Sequence, residues 1–517
     1  MSEDGDNTVP FKPAGQAGGP GKGGKRKNNT PGGALIPENL PPGAPVDLRC
    51  AVEPCNDLGN AARFIHRYGD DFRFVEGVGW AAWDGVRWDV EDGGRAAHLA
   101  AQATAEAVRA EAGAVEFSAM NLSSDLADWV VDAGSSGRVH AMLREAAPRL
   151  AVKVDDLDAD PDLIATPGGT VHLETGEMRE NRRGDLLSHA TVAEYDPKAE
   201  CPEFEKFLGL ILPDPNIMEF LIRVLGYGLT GHTREQVMVC LKGTGGNGKS
   251  VLRRCLDLAV GRFAQTMPVE TILRKTHGNA GGPSPDLARL PGVRMAFTSE
   301  PQVGAQLDEG RIKELTGGEP MAVRKLNRDY FEFTPQLKLF LSFNNRPVIR
   351  DASDGIWRRL LVVPFKEKLA QEDAARVLRA VETVEAPGVL RRLIDGAKDW
   401  AAEGLRPPEG VQAATGQYRQ DSDPLGMFIS EYMEEAPGDS VRAKSLRQAF
   451  DYWCDLADVP HMTARAFGGA MTDKSFDRKK VGRDIVYLDW RLREDLVAEM
   501  EQKASPPPVE SRDDYLD

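Results

Sequence analysis

The chain has 517 residues, of which 28% are charged, and a formal net charge of −16. This length allows about three or four domains, and the acidic balance argues against a general nucleic-acid coat protein, so any DNA contact must come from locally basic surfaces. The six cysteines include no C-x-x-C pair, which disfavours a zinc site or disulfide framework and fits a reducing cytoplasm. No apolar run approaches the ~18 residues of a membrane span, so we expect no membrane partner.

Both ends of the chain are poor in core-forming residues. Residues 1–54 are rich in Gly and Pro and carry the basic patch KGGKRK, a composition that cannot bury a core. The patch is typical of a solvated tail, and a weak DNA-tethering arm is the alternative. Residues 501–517 indicate a second disordered tail.

Residues 55–199 have a mixed pattern that predicts an N-terminal α+β domain. GWAAWDGVRWDV alternates aromatic and polar residues around the turn Asp84-Gly85, as in a hairpin. The segment 96–112 is alanine-rich and helical, and 163–181 indicates another hairpin with a turn near 174–176. No active site assembles from this pattern.

The strongest motif is the glycine loop LKGTGGNGKS, which fits the spacing G-x-x-x-x-G-K-[ST]. In such loops the backbone amides and a helix N-terminus hold phosphates, the lysine reaches the β- and γ-phosphates, and the serine hydroxyl binds Mg²⁺. VMVCL before the loop predicts a buried strand and SVLRRCLDLAV after it predicts an amphipathic helix, a context that disfavours a chance glycine turn. The predicted phosphate-binding residues are Gly243, Thr244, Gly245, Gly246, Asn247, Gly248, Lys249 and Ser250.

Three apolar segments downstream of the loop each adjoin polar groups. In GVRMAFTSEP the apolar strand is followed by Glu300, a carboxylate that can orient water or hold Mg²⁺, and LKLFLSFNNRP contains the amide Asn344 at the end of a strand. GIWRRLLVVPF contains Arg358 and Arg359 directly before its apolar run, and this pair suits the charge of a phosphoryl-transfer transition state. Two of these groups have an ordinary alternative. Glu300 could be the end of a strand without a catalytic role, and the two arginines could be a surface pair.

The succession GTGGNGKS, FTSE, IKELTGGEPMAVRKLNRDYFEFTP, LFLSFNNRP and SDGIWRRLLVVPF resembles the superfamily 3 helicases. It is most similar to the helicase part of phage and plasmid primases of the satellite-phage type and of the poxvirus helicase-primase. The resemblance covers about residues 55–370. It implies an α/β fold with an AAA+-like P-loop ATPase core, an N-terminal α+β domain and a C-terminal winged-helix domain.

The resemblance also implies roles for individual residues. Lys249 and Ser250 would bind ATP and Mg²⁺, Glu300 would be the Walker B acid that also supports the metal, and Asn344 would be the sensor amide. Arg358, Arg359 or both would act as a finger on the ATP of a neighbouring subunit, which implies a ring, most simply a homohexamer. Ser299 stands where many of these helicases have a second acid, which leaves open whether Glu300 supports Mg²⁺ alone or through water.

Two basic segments are implied to contact DNA. Lys313 and Arg324 match an extra motif of the family, and Lys325 and Arg328 in KLNR correspond to the tip of a hairpin that projects into the ring channel. Beyond residue 413 the chain resembles a winged-helix domain, with TARAFGGAM as the reading helix and DRKKVGRD as the wing. Six basic residues against two acidic ones between 463 and 483 support phosphate contact, with a solvated turn as the alternative; the predicted contacts are Arg465, Arg478, Lys479 and Lys480.

Together these features predict an ATP-dependent replicative DNA helicase of a phage or plasmid-like element in the cytoplasm of a bacterial host. It would translocate on single-stranded DNA, unwind forked duplex, and work with a separate primase, because no primase module is recognisable before the helicase motifs. The alternative is a DNA-binding AAA+ initiator or remodelling ATPase without processive unwinding. The predicted domains are a tail (1–54), the α+β domain (55–199), the ATPase domain with a helical lead-in (200–385), a helical linker (386–424), a winged-helix domain (425–500) and a tail (501–517).

Overall fold

The computed structural model describes residues 44–117, 123–274, 284–324, 330–349, 354–457, 459 and 461–504. The predicted DNA contacts Lys325 and Arg328 lie outside the described residues. Within the described ranges the chain is mixed α/β, and none of its helices is long and apolar enough to cross a membrane.

The N-terminal region packs helices against a four-stranded sheet. Its sheet has the order β3-β2-β1-β4, in which β1 is antiparallel to β2 and parallel to β4. The elements are α1 (Val46–Ala51), α2 (Asp57–Tyr68), β1 (Phe72–Val75), β2 (Gly79–Trp83), β3 (Trp88–Asp89), α3 (Gly93–Phe117), α4 (Ser123–Ala133), α5 (Ser136–Ala146) and β4 (Ala151–Val152). The predicted hairpin at Asp84-Gly85 joins β2 to β3.

Helix α1 lies inside the segment that was predicted as a disordered tail. Cys50 and Ala51 are buried, and Ala51 belongs to the apolar core of the N-terminal region. The prediction of disorder up to residue 54 is therefore wrong for α1, because a short helix that could not fold alone gains its apolar contacts from α2 and α3.

A small antiparallel sheet leads into the central region. Its strands are β5 (Leu163–Thr166), β6 (Gly169–His172) and β7 (Met178–Arg179). The predicted turn near 174–176 connects β6 to β7. Ile164 and Val171 of this sheet join the core of the region that follows, so the apolar core crosses the predicted boundary at residue 199.

The central region is a five-stranded parallel sheet with helices on both faces and the order β14-β8-β13-β10-β9. Strands buried on both faces are apolar along their whole length, which is why VMVCL, MAFT and LLVVPF are recognisable in the sequence. The elements are α6 (Pro202–Ile211), α7 (Pro215–Leu229), β8 (Met238–Gly243), α8 (Lys249–Val260), β9 (Ala264–Met267), β10 (Met295–Thr298), α9 (Glu309–Gly317), a hairpin of β11 (Met321–Arg324) and β12 (Tyr330–Phe333), β13 (Lys338–Phe343), α10 (Asp354–Trp357), β14 (Leu360–Phe365), α11 (Gln371–Ala380), α12 (Ala386–Glu403) and α13 (Glu409–Asp421).

The segment predicted as a linker, 386–424, packs into the central region. Helix α12 lies so close to α7 that a Cβ on Gly226 would stand 2.2 Å from the backbone nitrogen of Ala397. Trp400 is buried and its ring lies 4.6 Å from that of Tyr227. Helix α13 runs beside the edge strand β14, where the Thr415 hydroxyl accepts a hydrogen bond from the backbone N–H of Val362 at 3.0 Å, so it covers a sheet edge that would otherwise be open.

The C-terminal region has a separate apolar core. A three-stranded antiparallel sheet of order β15-β17-β16 packs with four helices. The elements are α14 (Pro424–Tyr432), β15 (Met433–Arg442), α15 (Ala443–Ala457), α16 (Ala464–Asp473), β16 (Arg478–Val481), β17 (Asp484–Leu492) and α17 (Glu494–Ala504). Helix α17 continues to Ala504, so the prediction of a disordered tail from residue 501 is wrong for its first four residues.

Candidate nucleotide-binding site

The candidate site lies where the carboxyl ends of three neighbouring parallel strands meet. Strand β8 leads into the glycine loop, β10 ends two residues before Glu300, and β13 ends one residue before Asn344. Because β8, β13 and β10 are adjacent in the sheet, these groups converge on one edge, which is where open α/β sheets bind ligands.

The glycine loop is shaped to expose backbone N–H groups. Gly245, Gly246 and Gly248 have φ angles of 94°, 65° and 80°, in the left-handed region that residues with a Cβ rarely adopt. Nothing lies within 4 Å of a Cβ placed on Gly245 or Gly246, so a ligand can approach the backbone there. Helix α8 begins at Lys249, directly after the loop, and its N-terminus favours bound anions.

Helix α6 and the segment after β14 contact the glycine loop and hold it in place. A Cβ on Gly248 would stand 2.7 Å from Cγ2 of Ile211. The Asn247 side chain donates to the carbonyl of Glu367 at 3.0 Å, and the backbone N–H of Leu369 donates to the carbonyl of Gly246 at 2.9 Å. These contacts are not recognisable in the sequence, because both acceptors are backbone carbonyls, which any residue supplies.

Helix α6 is itself anchored by a buried carboxylate that the sequence argument also missed. The two oxygens of Glu385 accept hydrogen bonds from the backbone N–H groups of Glu203 and Phe204, both at 3.0 Å. Glu385 follows α11 in a π-helical turn. The carboxylate caps the first turn of α6, where free N–H groups and the helix dipole favour a negative charge.

One hydrogen-bonded network joins the lysine, the amide and the acid. The Lys249 ammonium donates to Oδ1 of Asn344 at 3.1 Å. The Asn344 side chain and backbone N–H groups donate to the two oxygens of Glu300, each at 2.8 Å. Asn344 therefore orients the acid and contacts the lysine of the glycine loop at the same time.

The electrostatic environment of the network suits a bound anion. Partial burial lowers the pKa of Lys249, and the nearby Glu300 carboxylate offsets part of this shift by favouring the charged ammonium. Ser250 and Glu300 are both exposed, so both oxygens are accessible to a cation. The open loop, the lysine and these oxygens fit ATP with Mg²⁺, and Thr244 lies exposed at the start of the loop.

The two arginines before β14 have different environments. Arg358 is exposed, whereas Arg359 is buried and donates to the side-chain oxygen of Gln236 at 2.6 Å. Both lie at the start of β14, and the pairing of β14 with β8 puts that end about 17 Å from the glycine loop. Neither arginine can therefore reach a nucleotide on its own loop.

We expect substitutions of the two arginines to separate stability from catalysis. Arg359→Ala should lower the free energy of unfolding by about 2 kcal/mol, because it removes a buried guanidinium and leaves the half-buried Gln236 side chain without its charged partner. Arg358→Ala should change stability by less than about 0.5 kcal/mol. Urea denaturation measures both, and equal losses of stability would contradict the distinction.

The predicted DNA contacts of the C-terminal region lie on its surface. Arg465 is exposed near the start of α16, and Arg478, Lys479 and Lys480 are exposed along the edge strand β16. Lys474 is instead paired with Asp423. The structure does not bring this set to the nucleotide site.

The two residues of the extra motif lie on separate elements. Lys313 is half-buried on α9, and Arg324 ends β11 with its guanidinium 5.0 Å from the Tyr330 ring. Among the contacts of the described residues, neither side chain joins the hydrogen bonds around Glu300.

Residues 61–213 match the protein-family model described as D5 N terminal like. The chain is 29% identical over 299 residues to an Acanthamoeba polyphaga mimivirus protein named "Putative helicase", covering 54% of this chain and 31% of that protein. A frog virus 3 protein of the same name is 28% identical over 288 residues, covering 52% and 29%, and an African swine fever virus protein named "Putative primase" is 22% identical over 310 residues, covering 55% and 32%.

The similarity covers only part of each of these relatives. The matched region spans about a third of the length of those relatives. The solved structure of the NrS-1 C-terminal region is 14% identical, with a TM-score of 0.35, covering 59% of this chain and 79% of that one. The chain is similar, over about half its length, to viral proteins whose names place them among helicases and primases.

Proposed function

We propose that this chain is the ATP-hydrolysing motor of a replicative DNA helicase from a phage or plasmid-like element. The single observation that carries the proposal is the network from Lys249 through Asn344 to Glu300, formed across three adjacent strand ends. A phosphate-binding lysine, a polar sensor and an acid that orients water are the parts that P-loop ATPases use. The central region is accordingly an AAA+-like ATPase core of superfamily 3.

In the proposed reaction each group of the network has a specific role. The glycine-loop amides and Lys249 bind the β- and γ-phosphates of ATP, and Ser250 and Glu300 would hold Mg²⁺, which would neutralise phosphate charge. Glu300 orients the attacking water, and Asn344 keeps the carboxylate in place with its two hydrogen bonds. Because Asn344 also contacts Lys249, occupation of the phosphate site affects the position of the acid.

The proposed active unit is a ring, most simply a homohexamer. Arg358 is exposed at the end of the sheet remote from the glycine loop, so it would act as a finger on the ATP of a neighbouring subunit. Mixing Arg358→Ala subunits with Lys249→Ala subunits should restore hydrolysis at the mixed interfaces, because each supplies what the other lacks. Turnover that stays at the level of the separate variants would contradict the arrangement in trans.

The proposed DNA contacts divide between two elements. The tip at 325–328 would follow single-stranded DNA through the ring, and the C-terminal region would act as a winged-helix domain that holds duplex through α16 and β16. Exposed cations on β16 suit phosphate contact, which lets an acidic chain bind DNA locally.

We expect the double substitution Lys479→Ala with Lys480→Ala to weaken DNA binding and to reduce the salt dependence of the affinity. The slope of log K against log salt should fall by about two, since each phosphate contact contributes about 0.9. Fluorescence anisotropy at several salt concentrations measures this. Arg491→Ala is the matched control, because its guanidinium is already paired with Glu434, and an equal change of slope in both would contradict the assignment.

The decisive experiment is strand separation on a forked duplex with ATP, with particle size measured in the presence of an ATP analogue. The proposal expects ring-sized particles and ATP-dependent unwinding. Hydrolysis stimulated by DNA without strand separation would favour a DNA-binding AAA+ initiator instead, and hydrolysis indifferent to DNA would overturn both. Addition of a separate primase would then test whether primer synthesis depends on this motor.

A further inference from the structure

The hairpin of β11 and β12 stands apart from the parallel sheet. It forms a separate two-stranded sheet in which Arg324 pairs with Tyr330 as the last described cross-strand pair before the tip. At its other end, the root, the chain passes from Phe333 through Thr334 to β13. A force on the tip is therefore carried to the protein through this root.

The root is fixed to the N-terminal region by a few specific contacts. The carboxylate of Asp155 accepts hydrogen bonds from the backbone N–H and the hydroxyl of Thr334, both at 3.0 Å. The Gln336 side chain donates to the carbonyl of Asp158 at 3.0 Å. A third contact involves Phe331 of β12. Gly77 lies so close to it that a Cβ on the glycine would stand 2.4 Å from Cβ of the phenylalanine.

Beside these contacts the two regions are separated by a cleft. Its volume is about 190 Å³, and its walls include Val78, Val90 and Ala159 of the N-terminal region and Thr334 of the root. The two regions also share one apolar core, which contains Val154 and Leu157 beside Phe331 and Phe333 of the hairpin. Asp155 is exposed, so its directional hydrogen bonds fix the orientation of the root where this core ends.

The same root is joined to the nucleotide site by β13. This strand starts at Lys338, whose buried ammonium donates to the carbonyls of Gln336, at 3.0 Å, and Thr230. About 20 Å away the strand ends beside Asn344, in the network with Glu300. Strand β13 is the central strand of the five, so one rigid element connects the hairpin root to the site of hydrolysis.

We propose that Asp155 is a positioning residue that holds the hairpin root against the N-terminal region, so that hydrolysis drives the tip along DNA instead of tilting the hairpin. The inference rests on the proposed helicase function and gives a task to the segment that matches the D5 N terminal like family. Asp155 does not touch the nucleotide network. Loss of the Asp155 carboxylate reduces the number of base pairs separated per ATP hydrolysed, but it does not reduce the rate of hydrolysis.

The test compares Asp155→Ala with the wild-type full chain on a forked duplex. Base pairs separated per ATP hydrolysed should fall by at least about twofold, because the root loses both hydrogen bonds to a charged group, while ATP hydrolysis without DNA stays within about twofold of wild type. Thr334→Ser keeps both bonds and should retain coupling. Asp156→Ala is the matched control, because that neighbouring carboxylate bonds only to the backbone of Lys153 among the contacts of the described residues.

Hydrogen exchange gives a readout that does not depend on activity. The backbone N–H of Thr334 should exchange about tenfold faster in Asp155→Ala than in Asp156→Ala. Unchanged coupling and unchanged exchange in Asp155→Ala would overturn the inference while leaving the helicase function intact. If the wild-type chain separates no strands, the proposed function fails, and faster exchange at Thr334 alone would then show a structural contact without a role in movement.

Discussion

Lys249→Ala is expected to reduce ATP hydrolysis by about a hundredfold to a thousandfold. The ammonium lies 3.1 Å from Asn344 and, through that amide, joins the acid Glu300 to the glycine loop. Its removal takes away the positive charge that would stabilise the transferring phosphate. Steady-state hydrolysis with and without DNA measures the effect.

The fold should survive this substitution, since Lys249 is only half-buried and its side chain contacts the exposed edge of the site. Circular dichroism and the midpoint of thermal unfolding check this. Lys206→Ala, which removes an exposed lysine from α6, is the matched control and should leave hydrolysis unchanged. Hydrolysis near the wild-type rate in Lys249→Ala would remove the glycine loop from the mechanism.

Glu300→Gln is expected to separate binding from hydrolysis. Glutamine has the same size and its oxygen can still accept from the backbone N–H of Asn344, so ATP should bind with an affinity close to that of the wild type. Hydrolysis should fall by at least about a hundredfold, because the amide carries no charge to orient water. In addition, its NH₂ group would face the NH₂ group of Asn344. Titration with a fluorescent ATP analogue and steady-state hydrolysis measure the two effects.

A double-mutant cycle tests whether Glu300 and Asn344 act as a unit. The losses from Glu300→Gln and Asn344→Ala should combine to less than their sum, because either change breaks the same pair of hydrogen bonds. Fully additive losses would indicate independent roles. Glu314→Gln on α9, a carboxylate paired with Arg311, is the control for loss of an acid outside the network.

Four strands of the central sheet, β8, β10, β13 and β14, were predictable from the sequence, whereas β9 and the order of the strands were not. Strands such as β8 and β14 are buried on both faces, and this gives continuous apolar runs that stand out in the sequence. The position of β14 beside β8, and of β9 at the far edge, depends on contacts between segments far apart in the chain. Local pattern contains no information on such pairing.

The site was predictable only where it depends on side-chain identity. The glycine loop, Glu300 and Asn344 stand at characteristic spacing beside apolar runs, so the sequence singles them out as candidates. By contrast, the support of Asn247 by the carbonyl of Glu367 and the cap on α6 by Glu385 involve backbone groups. The difference between Arg358 and Arg359 likewise needed the fold, because it is set by the partner Gln236 at the start of β8.

The domain limits were the least predictable feature. A segment with helical periodicity between two domains is compatible both with a linker and with a helix that packs on one of them. The structure shows that α12 packs on the central region, because Gly226 of α7 lies in close contact with it and residues such as Leu393 and Trp400 are buried.

The packing of α12 and α13 on the central parallel sheet also determines how the chain can be divided. A fragment that ends at residue 385 would leave the surface of α7 and the edge of β14 uncovered, and we expect it to aggregate on expression. A fragment that ends near 422 retains Trp400 and Tyr418 in their buried positions and loses only a region with its own core. The C-terminal region is therefore the part that can be removed, exchanged or grafted without disrupting the core of the central region.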